Sequence, residues 1–194
     1  MKKLLSVLLA FCLIMGSSLL FSACGEEKEP VKVILTVENY GEITLELYPE
    51  HAPITVDNFL SLVDDGFYDG LTFHRIYKGF MIQGGDPEGD GTGDSGKNIK
   101  GEFSANGVDN PLSHTRGTIS MARGAYSMDS ASCQFFICDA DSTFLDGQYA
   151  AFGKVIAGMD VVDAIASVAV SANPLNGEMS VPNETVTIES IRRA

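Results

Sequence analysis

The stretch VKVILTVENYGEITLELY, residues 31–48, does most to limit what this chain can fold into. Apolar side chains alternate on both sides of a polar break, Glu38-Asn39-Tyr40-Gly41. A strand sends successive side chains to opposite faces, so Val33, Leu35 and Val37 share one face, as do Ile43, Leu45 and Leu47 on the second strand. This predicts a β-hairpin. The next segment, APITVDNFLSLVDDGFYDG, changes period: Val56, Phe59, Leu60 and Val63 recur at helical spacing, Pro53 stands near the start and Gly66 stops the run. A strand pair is expected around residues 72–84, and residues 84–111 are rich in Gly, Asp and Asn and read as loops. Short apolar runs return at Gly117–Ala122, Cys133–Cys138 and Ala151–Ile156. A second helix is expected at Asp160–Val168, a loop at Ser171–Pro182, and an alternating strand in ETVTIESIRR. Many short strands with two helices predict a mainly β domain built on a closed or sandwiched antiparallel sheet.

The first 30 residues are a different object. MKK supplies positive charge, LLSVLLAFCLIMGSSLLFSA is apolar, and Ala23-Cys24-Gly25 precedes the polar EEKEP. This resembles a bacterial lipoprotein signal, with residues 1–23 removed and a lipid on Cys24. Phe21 stands where the usual pattern prefers leucine. An uncleaved membrane anchor and ordinary signal cleavage are the other readings, and all three export the domain. The expected organisation is a signal peptide at 1–23, a lipidated cysteine and short tether at 24–30, and one folded domain at 31–194. Fully extended, the tether Gly25 to Pro30 reaches at most about 20 Å, so the domain is expected outside the cytoplasm, anchored close to the membrane.

Composition removes some functions. The 13 basic and 26 acidic side chains leave a net charge of −13, which repels phosphate backbones and argues against nucleic-acid binding. Nothing in the sequence points to oligomerisation, and a monomer is the expectation. Cys133 and Cys138 lie five apart in an apolar run, hence on opposite faces of a strand, and are expected to be small buried residues that do not bridge. A second pair that would complete a zinc site is lacking.

Several motifs resemble chemistry and then fail. Residues 91–97 match G-x-x-x-x-G-K, but Asn98 replaces the Ser or Thr that a phosphate loop needs for magnesium. Residues 86–91 begin like a calcium loop, but Lys97 occupies the place of its bidentate glutamate. His51, His74 and His114 lack metal-ligand spacing, and no serine sits in a G-x-S-x-G elbow. Neither a metal nor a cofactor is expected.

Residues 73–86, FHRIYKGFMIQGGD, pose a sharper question, because they set an arginine among apolar residues. Taken alone, Phe80, Met81, Phe136 and Leu145 read as core and Arg75 as an ion-paired structural residue. Downstream, GTISMARGA, SCQFFIC and FLDGQYAAFGKV follow in order. Together these motifs resemble the cyclophilin family of peptidyl-prolyl cis-trans isomerases, over about residues 31 to 192. The resemblance implies an eight-stranded antiparallel β-barrel capped by two α-helices, and an enzyme that acts on X-Pro bonds of proline-containing unfolded or exported polypeptides. It also implies the site: Arg75 as the catalytic arginine, with Gln83 to orient it and the substrate carbonyl. Phe80, Met81, Phe136 and Leu145 would receive the proline ring. Ala122 and Arg123 match the segment whose backbone pairs with bound peptide, and Gln134 matches another groove residue. His74 is expected to be structural. Spacing agrees in part, since Arg75, Met81 and Gln83 share parity, as do Gln134 and Phe136.

Two groove positions depart from the best-known eukaryotic pattern. Phe144 stands where many members carry tryptophan, and Tyr149 where many carry histidine. The first change removes an indole N–H that in the family contacts cyclosporin, so weak cyclosporin sensitivity is expected. A reading of another class is a non-catalytic chaperone or scaffold at the cell surface that grips proline-containing segments.

Overall fold

The computed structural model describes residues 29–194. The expected signal peptide, Cys24 and most of the tether lie outside the described residues. The predicted hairpin forms: β1 (Val31–Val37) pairs antiparallel with β2 (Gly41–Leu47), with Val33 opposite Leu45 and Leu35 opposite Ile43. All six alternating apolar side chains are buried.

Helix α1 (Pro53–Asp64) begins with proline in its first turn, where the missing N–H costs least. The side chain of Glu102, buried and far along the chain, supplies the cap. Its carboxylate accepts from the Ile54 and Thr55 N–H groups at 3.0 and 2.7 Å, satisfying donors that a helix start leaves unpaired. At the other end Gly66 N–H donates to Val63 O and Phe67 N–H to Leu62 O. This is the paired-bond ending that glycine favours after a helix. The buried face is Thr55, Val56, Phe59, Leu60 and Val63.

The remaining strands are β3 (Thr72–Tyr77), β4 (Met81–Asp86), β5 (Thr118–Met121), β6 (Phe135–Cys138), β7 (Ala151–Ala157) and β10 (Ile188–Arg193). With β1 and β2 they make one eight-stranded sheet in the order β10-β1-β2-β7-β5-β6-β4-β3. It is antiparallel throughout. The sheet curls into a half-barrel whose edges meet only at one end, where Thr72 bridges Thr187 and Phe73 N–H donates to Val186 O. The expected barrel is therefore present as a partly closed one. Helix α2 (Met159–Ala166) buries Val161, Val162, Ile165 and Ala166, and both helices contribute to the main core. At its centre Phe59 packs on Tyr68, Phe135 and Phe152 with ring centroids 5.2–5.6 Å apart. Burying each such side chain contributes about 1.5–3 kcal/mol.

Two sequence expectations need correction. Residues 84–86 are not loop, because β4 runs on through Gly84, Gly85 and Asp86. Gly85 has φ +82°, and a Cβ there would lie 3.0 Å from both Cys133 O and Tyr68 Cε1, so the strand can pass only without a side chain. The Asp86 carboxylate, buried, then accepts the backbone N–H groups of Glu88, Asp90 and Gly91 and organises the following loop. The second correction concerns Ser171–Pro182. This segment folds as a separate hairpin, β8 (Val170–Ala172) against β9 (Met179–Pro182), and β9 packs across β3.

Candidate active site

Strand β6 explains why the fold has a second apolar face. Phe135 and Ile137 enter the main core, while Phe136 and Cys138 point the other way and join Met81 and Leu145 in a separate buried cluster. Cys133 belongs to the main core and Cys138 to the second cluster, and both thiols are free. Burial pushes them up to about 11 and about 12 respectively, so both stay protonated at neutral pH.

The ladder aligns the polar residues beside this cluster. Arg75 lies opposite Gln83, Gln83 opposite Phe136 and Phe136 opposite Ser120, making one row across four strands on the face away from the main core. A bulge between Phe73 and Arg75 breaks strict alternation. Phe73 and Ile76 are buried in the core, whereas His74 and Arg75 both line the groove. An inserted residue re-aims side chains in this way. His74, expected to be structural, forms part of the groove wall. Burial pushes its imidazole below the ordinary histidine value.

The groove has a volume of about 820 Å³. Met81, Phe136 and Leu145 are buried in its floor, with Phe80, Ala122 and Tyr149 packed against them. A 3-10 turn, Thr143–Leu145, delivers two of the expected residues. Leu145 turns inward, while Phe144 is 66 % exposed and stacks at a tilt on Phe80, with 5.5 Å between centroids. Asp146 locks the turn by accepting from Ser113 Oγ at 2.6 Å and from the His114 backbone N–H at 2.7 Å. Tyr149 meets Phe136 edge to face at 6.0 Å.

The polar side of the groove is a chain of hydrogen bonds. Arg75 Nη1 donates to Gln83 Oε1 at 3.0 Å, and Gln83 Nε2 donates to Gln134 Oε1 at 2.9 Å. Gln134 Nε2 then donates to the Gly91 and Gly93 carbonyls. Ala122 N–H is already engaged, donating to Gln134 O at 2.9 Å. Arg123 is tied by its own side chain, with Nε donating to Gln148 O at 2.9 Å and the guanidinium carbon 4.8 Å from the Tyr149 ring centroid. All the groove residues expected from the sequence thus line one cavity or support its wall.

Sequence reasoning missed Glu178. Its two carboxylate oxygens accept from Arg75 Nε at 2.7 Å and Nη2 at 2.8 Å, and the Arg75 bond holds its carboxyl below the usual range. The available signal was Asn176-Gly177, a strong hairpin turn pair, which marks the segment as structured.

His114 is fully buried and bridges Asp146 and Ser120, with Nδ1 2.8 Å from Asp146 Oδ1 and Nε2 3.0 Å from Ser120 Oγ. The order Ser-His-Asp is that of a hydrolytic triad, but Ser120 has no exposed surface and cannot meet a substrate. His114 instead stacks flat on Phe136, with rings 16° from parallel and 6.0 Å apart, and supports the groove floor. The described residues contain no group of three or more His, Cys, Asp or Glu arranged to hold a metal.

An apolar floor with the Arg75 guanidinium beside it suits a reaction that needs shape and charge rather than a nucleophile. The model of the family described as "Cyclophilin type peptidyl-prolyl cis-trans isomerase/CLD" matches residues 32–193. A peptidyl-prolyl cis-trans isomerase of Acinetobacter baylyi is 45% identical over 163 residues, covering 79% of this chain and 81% of the relative. Peptidyl-prolyl cis-trans isomerase B of Bacillus subtilis is 46% identical over 124 residues, covering 64% and 82%. Among solved structures, a cyclophilin type isomerase of Cryptosporidium parvum superposes with a TM-score of 0.74 at 30% identity, covering 85% of this chain and 98% of that one. The same protein has been crystallised in the presence of the dipeptide Ala-Pro. The chain belongs to the cyclophilin-type peptidyl-prolyl cis-trans isomerases.

Proposed function

We propose that this isomerase acts on X-Pro bonds of exported polypeptides outside the cytoplasmic membrane, held there by a lipid on Cys24, and that Arg75 is its catalytic residue. An X-Pro bond interconverts over a barrier of about 18–20 kcal/mol because the amide C–N has double-bond character. The cis form itself costs only about 0.5–1 kcal/mol, so the difficulty is kinetic. Acceleration requires a site that fits the twisted amide better than the planar one. Twisting localises a lone pair on the proline nitrogen, and a guanidinium at the rim interacts with that nitrogen most strongly in the twisted state. Phe80, Met81, Phe136 and Leu145 hold the ring, and Gln83 steadies Arg75.

The observation that carries this reading is the position of Arg75. Its guanidinium carbon lies 5.9 Å from the Phe80 ring centroid, at the edge of the apolar floor. Arg75→Ala is expected to lower kcat/KM by about 10²–10³ in a peptide isomerisation assay, and unchanged activity would refute the role. Equal rescue of an isomerase-deficient strain by wild type and Arg75→Ala would favour peptide gripping over turnover. The membrane reading rests on the small residues around Cys24 and the apolar run before it. Mass spectrometry of the membrane-extracted protein should find a diacylated Cys24 at the mature N-terminus, and an unmodified cysteine would exclude the lipid anchor.

A further inference from the structure

We infer that Glu178 is a positioning residue for the isomerisation: it fixes the Arg75 guanidinium so that two N–H donors remain directed at the groove. This rests on the reading of Arg75 as the catalytic group. A guanidinium has five N–H donors in a rigid plane. Glu178 takes the Nε donor and one on Nη2, and Gln83 takes one on Nη1. What remains is one donor on each of Nη1 and Nη2. An arginine side chain left free samples many rotamers, and each lost orientation dilutes the fraction of enzyme ready to meet the twisted amide. A two-point contact on one edge with a third contact from Gln83 removes that freedom.

The hairpin that carries Glu178 is built to hold it still. The Asn176 side chain accepts the Glu178 N–H at 2.9 Å, Glu178 O accepts the Asn173 N–H at 2.7 Å, and Asn173 O accepts the Gly177 N–H at 2.8 Å. At the base, Asn183 N–H donates to Ala169 O, and Ser171 Oγ bonds the Asn183 side chain. Pro174, Leu175 and Val181 from the same unit line the groove. Glu178 is therefore not a surface carboxylate that happens to find an arginine. Its side chain is only 22% exposed and its partner's 33%, a geometry in which a bidentate pair is worth more than an ordinary surface ion pair.

A nearby carboxylate could also weaken Arg75 by neutralising it, and the two effects have opposite signs in kcat. The full-length protein in detergent, with Glu178→Ala, Glu178→Gln, Arg75→Ala and the double variant Arg75→Ala/Glu178→Ala, separates them in a peptide isomerisation assay. Positioning predicts that Glu178→Ala lowers kcat about tenfold with KM changed less than twofold. Glu178→Gln, which keeps one acceptor, should fall between it and wild type. In the Arg75→Ala background the same change should cost nothing further. The Arg75 Nε–H resonance is expected to be resolved and slow to exchange in wild type and to collapse to the solvent-exchanging arginine envelope in Glu178→Ala. Unchanged or raised kcat in Glu178→Ala overturns the inference, as does a tenfold loss that persists without Arg75. Should Glu178→Ala not fold, by circular dichroism, the near-isosteric Glu178→Gln carries the test, and wild-type kcat in that variant is the overturning result. Full activity in Arg75→Ala would refute the catalytic reading itself, whereas an inactive Arg75→Ala beside a fully active Glu178→Ala would refute only the role of Glu178.

Discussion

Arg75 and Gln83 face each other across the β3–β4 ladder, and the Gln83 carbonyl oxygen accepts from Arg75 Nη1 at 3.0 Å while its amide group donates to Gln134. The amide is thus oriented at both ends, and its oxygen is available only to the arginine and to what binds beside it. Losing a hydrogen bond to a charged group typically costs about 1.5–3 kcal/mol. Because Glu178 still restrains the guanidinium, Gln83→Ala should sit at the low end, with kcat/KM reduced about tenfold. A loss as large as that of Arg75→Ala would mean that Gln83 acts on substrate directly.

Phe136 is buried between the His114 ring on one side and Tyr149 on another. Phe136→Ala should leave a cavity in the groove floor and cost about 3–5 kcal/mol of stability, read as a lower urea midpoint with unchanged slope. Catalytic efficiency should fall together with stability. Stability within 1 kcal/mol of wild type, on the order of a surface change, would contradict the packing described for the floor.

Burial pushes the His114 imidazole below the ordinary value of 6.5, against the opposing pull of Asp146, and burial also lowers His74. A base whose folded-state value is lowered takes up its proton more readily when unfolded. Its contribution to stability is therefore complete above about 6.5 and is lost as pH falls through the folded-state value. Thermal melts between pH 7.5 and 4.5 should show Tm declining on the acid side of 6.5. His114→Gln should lower Tm throughout but flatten this part of the profile, and an identical slope in both proteins would exclude His114 as a contributor.

Phe144 stands 66 % exposed at the rim and offers no N–H donor. Cyclosporin should inhibit the protein weakly, and nanomolar inhibition would contradict this. Phe144→Trp is expected to raise sensitivity about tenfold, as one added hydrogen bond of about 1–1.5 kcal/mol would, with isomerase activity changed less than twofold.

Much of this molecule is legible along the chain because its signals are local. Alternation predicts the β1–β2 hairpin and the helical period predicts α1 and α2, since a strand and a helix repeat at 2.0 and 3.6 residues whatever surrounds them. The order of FHRI, GFMIQGGD, SMAR, QFFI and FLDG points to the family and to Arg75, Phe80, Met81, Gln83, Phe136 and Leu145. The opposite faces of Cys133 and Cys138 follow from parity alone.

Other features depend on residues far apart in sequence, and only the tertiary structure decides them. His74 faces the groove because a bulge inserts one residue between Phe73 and Arg75, and nothing in FHRI marks where a ladder will slip. Glu102 caps α1 from 47 residues away, a contact without a spacing rule. The half-barrel is only partly closed: its edges meet at one end, where Thr72 bridges Thr187, Phe73 N–H donates to Val186 O and Ile188 N–H donates to Leu71 O. Glu178 reaches Arg75 across 103 residues, because the β8–β9 hairpin packs across β3. Local periodicity sets which face each side chain takes, whereas a carboxylate finds its guanidinium only after the chain has closed the loops that bring them together.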